Sequence, residues 1–297
     1  MDLRDILPVE QIHEDEPMYK HTTFRVGGKA ALFLDIKTSE ELQHILKLFS
    51  EEKRPYFVIG NGSNLLVSDK GYDGVILHLG AGFDQITVDG SRITAQAGAM
   101  LSKVAYTAME HGLKGLEFAS GIPGSVGGGV MMNAGAYGGE MSQVVTYIKG
   151  LDAKGNPVYL GNEQAQFTYR SSILKKNHMI ATEIGFELVP GDKEEIRKTV
   201  SELSEKRREK QPLEFPSAGS TFKRPEGYYA GKLIMDAGLR GYRVGDAQVS
   251  EKHCGFVINR GNATASEIHQ LMLDVQRKVA EKFQVNLEPE VIKLGDF

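Results

Sequence analysis

The feature that most constrains this chain is a concentration of glycine between residues 112 and 139. Ten of these 28 residues are glycine, against 34 in the 297 residues of the whole chain. Glycine lets the backbone approach a ligand closely, and concave arrays of backbone N–H groups bind phosphate oxygens. Apolar residues interleaved between positions 122 and 132 argue against a flexible linker. We therefore interpret residues 121–129 as a phosphate-binding loop.

Charge and composition indicate a soluble globular protein with a small anionic ligand. The chain carries 35 basic and 39 acidic side chains, a formal net charge of −4, which excludes a surface generally suited to nucleic acid. Residues 206–260 hold eleven Lys or Arg and six Asp or Glu, so this stretch carries +5. Each of these basic side chains taken singly is also explained as solvated surface charge.

The chain has the features of a cytoplasmic protein. Its one cysteine, Cys254, rules out a disulfide framework and lies in an apolar run, which is typical of a small buried side chain. The acidic N-terminal region is unlike a signal peptide, and no apolar run approaches the ~20 residues that span a bilayer. The eight histidines show no metal-ligand spacing. We expect a cytoplasmic monomer with no metal, no membrane contact and no nucleic acid partner.

Periodicity predicts alternating helices and strands. The segment 38–49 is a helix with a capping box, residues 56–59 and 74–79 are strands, and Asp89-Gly90 marks a hairpin. Strands are also expected at 144–151, 157–160 and 180–189, with a charged helix at 192–210. After a composition shift at 211–216 come helices at 230–237 and from Thr264, and a final extended segment at 285–294.

A second glycine-containing loop, residues 60–64, follows the predicted strand 56–59. The sequence Gly-Asn-Gly-Ser-Asn suits an anion site, but the same residues favour ordinary turns. Neither glycine loop matches the P-loop or the dinucleotide fingerprint of a strand–helix–strand unit. Two separate glycine loops nevertheless suit a ligand with a central pyrophosphate.

Three further residues have plain local explanations. Ser220 follows a glycine without forming a nucleophile elbow, so a turn or capping serine is the default interpretation. The default interpretation of Arg170 is a surface ion-pair residue, and that of Glu290 is an exposed carboxylate on a strand. Composition and spacing lead no further than an α/β protein with a dinucleotide-sized anion site.

Eight sequence strings together resemble the UDP-N-acetylenolpyruvoylglucosamine reductase family of flavoenzymes. In chain order they are His21-Thr-Thr-Phe-Arg-Val-Gly-Gly28, Ile59-Gly-Asn-Gly-Ser-Asn-Leu-Leu66, Ser120-Gly-Ile-Pro-Gly-Ser-Val-Gly-Gly128, Asn133-Ala-Gly-Ala-Tyr137, Tyr169-Arg-Ser-Ser172, Ala218-Gly-Ser-Thr-Phe-Lys-Arg-Pro225, Gly245-Asp-Ala-Gln-Val-Ser250 and Glu288-Pro-Glu-Val291. Each string is modest evidence, but the ordered set is specific. Only 49 residues separate Arg170 from Ser220, which resembles the shorter type II branch that lacks an insert bearing a tyrosine.

The resemblance implies an α+β protein with a vanillyl-alcohol-oxidase-type FAD-binding fold. Its expected parts are FAD-binding subdomains at 1–80 and 81–210, an α+β substrate-binding domain at 211–284, and a C-terminal segment at 285–297 that returns to the active site. It also assigns eighteen residues to non-covalent FAD: Ile59, Gly60, Asn61, Gly62, Ser63, Asn64, Leu65, Gly121, Pro123, Gly124, Ser125, Gly127, Gly128, Asn133, Ala134, Gly135, Ala136 and Tyr137.

The activity implied is the NADPH-dependent reduction of UDP-N-acetylglucosamine enolpyruvate to UDP-N-acetylmuramate through bound FAD, in peptidoglycan precursor synthesis. By the same match, Ser220 gives a proton to C2 of the substrate, while Arg170 and Glu290 lie at its carboxylate. The UDP-sugar contacts fall on Lys223, Arg224, Arg240, Arg243 and Gln248, although Arg224 stands where other members carry Asn. Two alternatives remain open here: a flavin oxidase of the same fold, and a non-catalytic nucleotide-binding module.

Overall fold

A computed structural model describes residues 3–297 of the chain. Its helices are α1 (Ser39–Glu52), α2 (Leu101–Glu110), α3 (Val126–Met131), α4 (Ile173–Lys176), α5 (Lys193–Lys210), α6 (Ala230–Asp236) and α7 (Ala265–Phe283). Its strands are β1 (Ile12–Pro17), β2 (Lys29–Ile36), β3 (Tyr56–Ile59), β4 (Leu65–Val67), β5 (Tyr72–Leu79), β6 (Ile86–Asp89), β7 (Arg92–Gln96), β8 (Leu113–Lys114), β9 (Gly135–Ala136), β10 (Gly139–Glu140), β11 (Val145–Leu151), β12 (Pro157–Gly161), β13 (Ile180–Glu187), β14 (Val189–Pro190), β15 (Ser217–Ser220), β16 (Arg243–Val244), β17 (Ala247–Val249), β18 (Phe256–Asn259) and β19 (Ile292–Leu294).

These elements form two compact units, each built from separate parts of the chain. The first unit contains the chain up to His13, Leu32–Asn61 and Gly74–Lys206. The second contains Glu14–Ala31, Gly62–Asp73 and Arg207–Phe297. A four-stranded sheet has the order β1-β2-β5-β3, in which β3 and β5 are parallel.

The first unit has a five-stranded sheet of order β12-β11-β13-β7-β6, antiparallel throughout. Gly90 adopts a φ of +60° between β6 and β7, as the predicted hairpin requires. Buried side chains of one sheet face, including Ala95, Ile148 and Ile184, belong to the same apolar core as residues of α2 and α3. The helices therefore cover one face of this sheet.

Capping explains where α1 begins, and its apolar stripe explains what it buries. Thr38 and Glu41 form the predicted capping box. Leu42, Ile45 and Phe49 are buried in the core of the first unit. The charged helix α5 buries only Ile196 and Val200, which pack with Met109, as its thin apolar stripe predicts.

The second unit has its own apolar core, centred on α7. The predicted stripe of α7 is buried, namely Ile268, Leu271, Met272, Val275 and Val279. A four-stranded antiparallel sheet of order β15-β18-β17-β16 contributes to the same core. The strand β19 pairs in parallel with β4, so the end of the chain lies beside residues 65–67.

Two of the predicted strands have different limits in the structure. Residues 180–189 form two strands, since β13 ends at Glu187 and β14 pairs separately with β8. The final extended segment is a strand only over Ile292–Leu294. Strand limits depend on partners elsewhere in the chain, which the local pattern does not contain.

Asp69 anchors the loop after β4 to the start of α7. Its two carboxylate oxygens accept hydrogen bonds from the backbone N–H groups of Ala265 and Ser266, both at 2.8 Å. The capping box of Thr264 and Glu267 satisfies the next donor. Partial burial of Asp69 opposes ionisation, but the hydrogen bonds from Ser266 and Ala265 outweigh it and lower the pKa of this carboxyl below 3.8.

We expect Asp69→Asn to lower the free energy of unfolding by about 1 kcal/mol at neutral pH, because Asn keeps one acceptor oxygen for the two N–H groups and loses the negative charge that favours a helix N-terminus. A lowered folded-state pKa gives stability that is present above the unfolded value near 3.8 and is lost as the pH falls through the folded value. Urea unfolding at pH 7 and below pH 4 should therefore show the difference from wild type shrinking in acid. The control is Asp73→Asn, an exposed carboxylate on β5; an equal loss in both variants would contradict the assignment.

Candidate functional site

The two glycine loops meet in the first unit. The side-chain amide of Asn61 donates a hydrogen bond to the carbonyl oxygen of Pro123. A Cβ atom at Gly60 would lie 2.1 Å from the Oγ of Ser125, so a side chain does not fit there. The loops that the sequence pairs as one ligand site are thus in direct contact at their Gly60–Asn61 and Pro123–Ser125 segments.

Part of the glycine-rich stretch is a helix, which corrects its interpretation as a loop throughout. Ser125 caps α3, and its Oγ accepts a hydrogen bond from the N–H of Gly128 at 3.3 Å. The N–H groups of Val126 and Gly127 donate to the carbonyls of Ala99 and Ala97, each at 2.8 Å. These three donors are therefore used within the protein.

Packing explains two glycines of α3. A Cβ atom at Gly127 would lie 2.9 Å from the Cβ of Ala97, and one at Gly129 would lie 3.0 Å from Leu101. Contacts this short force a neighbour to shift. The stretch thus packs its backbone against the core of the first unit. The sequence signal was present, since Val126 and Val130 are spaced as on one helix face.

Other positions along the stretch leave room for a ligand. A Cβ atom at Gly138, where φ is +90°, would meet nothing within 4 Å, and one at Gly128 would meet only the Ser125 hydroxyl at 3.5 Å. The neighbouring Tyr137 is exposed and also has a positive φ, of 53°. Open backbone, amide groups and an aromatic ring suit a flat polar cofactor such as FAD. Cofactor contact by the eighteen assigned residues stays a prediction.

Asn133 has a structural task that the sequence analysis did not anticipate. Its buried side chain accepts a hydrogen bond from the N–H of Ser142 at 3.0 Å and donates to the carbonyl of Thr168 at 3.3 Å. Its φ of 42° is uncommon for a residue other than glycine, and such backbone persists only when the surroundings fix it. Asn133 therefore ties the segment after α3 to the turn that carries Arg170.

Arg170 stands on a tight turn in the first unit. Thr168 and Ser171 exchange backbone hydrogen bonds of 3.0 and 3.2 Å, and Arg170 between them has a φ of 54°. Its guanidinium carbon lies 5.3 Å from the centre of the Tyr169 ring. The buried Ser172 donates its hydroxyl to the carbonyl of Met131 at 3.1 Å. The turn is thus fixed against the end of α3, and Ser172 was visible in sequence only as part of the Tyr-Arg-Ser-Ser string.

The second unit holds the remainder of the loop after β3. Gly62 has a φ of +56°, and a Cβ atom there would lie 1.9 Å from the carbonyl oxygen of His21. The side-chain amide of Asn64 donates to the carbonyl oxygen of Glu290 at 3.0 Å. The carbonyl of Asn64 accepts the N–H of Ile292, also at 3.0 Å. Asn64 is therefore bound to the C-terminal segment through both its side chain and its backbone.

Backbone contacts join the segments that carry Ser220 and Glu290 in the second unit. Ser220 is exposed at the end of β15 and follows Gly219, where φ is +74° and a Cβ atom would meet nothing within 4 Å. The next residue, Thr221, is fully buried and accepts the N–H of Glu290 at its carbonyl, at 2.8 Å. The Oγ1 of Thr221 also accepts the N–H of Val257 at 3.0 Å. Arg170, the third predicted catalytic residue, belongs to the first unit.

Thr221 is a positioning residue that the sequence analysis missed. Its neighbours in the string were selected as candidates because they carry a hydroxyl or a positive charge: Ser220, Lys223 and Arg224. A threonine in such a string looks like an ordinary strand residue. In the sequence, the only indication that Thr221 matters is its position between Ser220 and the basic pair Lys223-Arg224.

The predicted substrate residues Lys223 and Arg224 lie just beyond this point. The ammonium of Lys223 is 2.9 Å from a carboxylate oxygen of Glu288, and this hydrogen bond lowers the pKa of Glu288. The guanidinium carbon of Arg224 lies 4.0 Å from the centre of the exposed Tyr229 ring. Two cations and an exposed aromatic ring thus follow Ser220 along the chain.

The other three predicted substrate residues also have protein partners. Arg240 donates to the carbonyl of Glu251 at 2.9 Å, and Arg243 pairs with Asp246 at 2.9 Å. Gln248 is buried opposite Arg243 in the sheet, and its side-chain oxygen accepts a hydrogen bond from Arg260 at 2.8 Å. Arg260, which sequence analysis counted only as charge, therefore fixes the orientation of Gln248.

The surroundings of Cys254 agree with its prediction as a buried side chain. Cys254 is buried, and burial raises the pKa of its thiol, as expected of a small apolar side chain. Among residues 3–297, no helix is both long and apolar enough to cross a bilayer. In the same described part of the chain, no group of three or more His, Cys, Asp or Glu is arranged to hold a metal ion.

Comparison with family models divides the chain into two matches. Residues 30–161 match a model described as FAD binding domain. Residues 211–294 match a model described as UDP-N-acetylenolpyruvoylglucosamine reductase, C-terminal domain. The first match and the mixed helix and strand content confirm the predicted α+β FAD-binding fold.

Relatives match over nearly the whole chain. The UDP-N-acetylenolpyruvoylglucosamine reductase of Clostridioides difficile (strain 630) is 50% identical over 296 residues, which is 100% of this chain and 97% of the relative. The enzyme of the same name from Agathobacter rectalis is 52% identical, with 98% of this chain and 96% of the relative covered. The crystal structure of UDP-N-acetylenolpyruvylglucosamine reductase (MurB) from Thermus caldophilus is 35% identical, covers 96% of this chain and 98% of its own, and superposes with a TM-score of 0.82. At these identities over nearly the whole chain, this chain belongs to the UDP-N-acetylenolpyruvoylglucosamine reductase family.

Proposed function

We propose that this protein reduces UDP-N-acetylglucosamine enolpyruvate to UDP-N-acetylmuramate with NADPH, in peptidoglycan precursor synthesis. The observation that carries the proposal is the backbone hydrogen bond from the N–H of Glu290 to the carbonyl of Thr221, the residue after Ser220. Family membership over the full chain supports it. When bound, FAD supplies the redox chemistry, since it accepts two electrons from NADPH and passes them to the substrate.

The protein's own residues bind and protonate the substrate in this proposal. Negative charge develops on the substrate carbon next to the carboxylate and spreads into that group. Arg170 offers paired N–H donors to this charge, and Glu290 lies at the same carboxylate. Ser220 gives the proton to C2, because a hydroxyl held within hydrogen-bond reach is acidic enough for a strongly basic carbon.

The remaining proposals assign each part of the chain to the cofactor or to the substrate. We propose that residues 1–80 and 81–210 hold FAD, that residues 211–284 bind the UDP-sugar, and that residues 285–297 complete the active site. Lys223, Arg224, Arg240 and Arg243 are the cations for the diphosphate, with Gln248 beside Arg243. We further propose that the protein acts as a monomer in the cytoplasm.

Anaerobic titration tests the function directly. Purified protein is expected to show a flavin absorbance band that NADPH bleaches. Addition of the enolpyruvyl sugar should then restore the band and form one equivalent of product per flavin. A yellow protein whose flavin is not reduced by NADPH but is reduced by an alcohol or amine would instead be a flavin oxidase. A protein with no flavin band would support the non-catalytic nucleotide-binding module.

A further inference from the structure

Asn64 joins the loop after β3 to the segment that carries Glu290. Its side-chain amide donates to the carbonyl of Glu290, and its own carbonyl accepts the N–H of Ile292, each at 3.0 Å. These bonds lie directly before the parallel pairing of β4 with β19, which begins at Leu65 opposite Ile292. Asn64 thus begins the register between two segments separated by more than 220 positions.

The peptide groups of Glu290 are held from two sides. On one side, its N–H donates to the carbonyl of Thr221 at 2.8 Å, next to Ser220. On the other side, its carbonyl accepts the Asn64 amide. The isolated bridge between Phe222 and Pro289 extends the first of these contacts. The backbone of Glu290 is therefore hydrogen-bonded on both sides, and the bond to its carbonyl comes from the Asn64 side chain.

The loop backbone fixes where Asn64 stands. Gly62 approaches the carbonyl of His21 so closely that a Cβ atom would not fit, and the N–H of Thr23 donates to the carbonyl of Gly62 at 3.3 Å. The three residues after Asn64 are all buried in β4. Asn64 is thus held between a close backbone approach and a buried strand, so its amide has a defined direction.

We propose that Asn64 is a positioning residue that sets Glu290 in place beside Ser220. This inference rests on the proposed function, because it gives Glu290 a role at the substrate carboxylate. It reassigns the side chain of Asn64, which the family resemblance places among the cofactor contacts. The chemistry requires an amide, since a carboxylate at position 64 has no N–H to donate to a carbonyl oxygen.

The test separates the two half-reactions in Asn64→Asp. We expect the flavin-to-protein ratio and the rate of flavin bleaching by NADPH to stay at wild-type values. Reoxidation by the enolpyruvyl sugar is expected to slow by ~10- to 100-fold, the effect of a catalytic group displaced by about 1 Å. Asn64→Ala should give the same partition without adding a charge. Backbone hydrogen exchange of residues 286–293 should be faster in both variants, with or without flavin.

A double variant distinguishes positioning from a general structural role. If Asn64 acts through Glu290, Asn64→Asp with Glu290→Gln should reoxidise about as slowly as Glu290→Gln alone. The control is Gln43→Glu, which removes a matched amide-to-carbonyl bond, to Gly155 at 2.9 Å in the first unit. It should leave both half-reactions unchanged.

Three results would overturn the proposal: loss of flavin in both Asn64 variants, equal slowing of both half-reactions, or rate losses that multiply in the double variant. Failure of the proposed function looks different. In that case the reduced wild-type protein itself is not reoxidised by the enolpyruvyl sugar, while hydrogen exchange of residues 286–293 still reports whether Asn64 holds this segment.

Discussion

Ser220→Ala is expected to retain flavin and its bleaching by NADPH, and to lose reoxidation by the enolpyruvyl sugar. Loss of a positioned proton donor slows a reaction by about 10²- to 10⁴-fold. The fold should tolerate the change, because Ser220 is exposed at the end of β15 and its strand pairs with β18 through the backbone. Stopped-flow absorbance at the flavin band measures the two half-reactions separately.

The matched control is Ser217→Ala, at the other end of the same strand, where Ser217 pairs with Ile258. It should leave both half-reactions at the wild-type rate. A Ser220→Ala variant that is reoxidised as fast as wild type would show that another group gives the proton to C2. Thr221 is a poor substitute, because its side chain is fully buried whereas Ser220 is exposed.

Arg170→Lys is expected to slow reoxidation by about 10²- to 10³-fold, the usual cost of removing a donor aimed at developing charge. Lysine keeps the positive charge but lacks the planar, paired N–H groups that match a carboxylate. Both residues carry a Cβ atom, so the left-handed backbone at this position, with φ of 54°, costs the same in each. The loss should therefore come from donor geometry and appear mainly in kcat rather than in the amount of folded protein.

Arg92→Lys is the control for this substitution, because Arg92 also pairs with a carboxylate, that of Glu187 at 2.8 Å, but on β7. It should reoxidise at the wild-type rate. An Arg170→Lys variant with unchanged kcat and only a raised KM would mean that Arg170 binds the carboxylate equally in the substrate and the transition state.

Several elements could be predicted from the sequence because short-range interactions define them. Thr38 and Thr264 each precede a Glu by three residues, and both form capping boxes where expected. Asp89-Gly90 forms the expected hairpin, since glycine takes the positive φ there without cost. Interactions of this kind lie within a few residues of one another, so the sequence contains both partners.

The extent of the glycine-rich loop was harder to predict, because glycine has two uses. It exposes backbone to a ligand, and it also lets two backbones pack closely. At Gly127 and Gly129 the second use applies, since Ala97 and Leu101 occupy the space of a side chain. Both neighbours lie more than 20 positions away, and no local pattern marks the contact.

The sequence by itself determined the class of fold and the family, because strings of chemically specific residues occur in order along the chain, and it named the candidate residues for the chemistry. Only the tertiary structure decided how those residues are held. It placed Glu290 between Thr221 and Asn64, and it gave Asn133 and Ser172 the task of fixing the turn of Arg170. The physical reason is that a buried hydrogen bond between distant segments depends on where the folded chain brings those segments together. The glycine-rich stretch shows the same limit. Its composition was evident from the sequence, but its division into loop and helix depended on the residues packed against it.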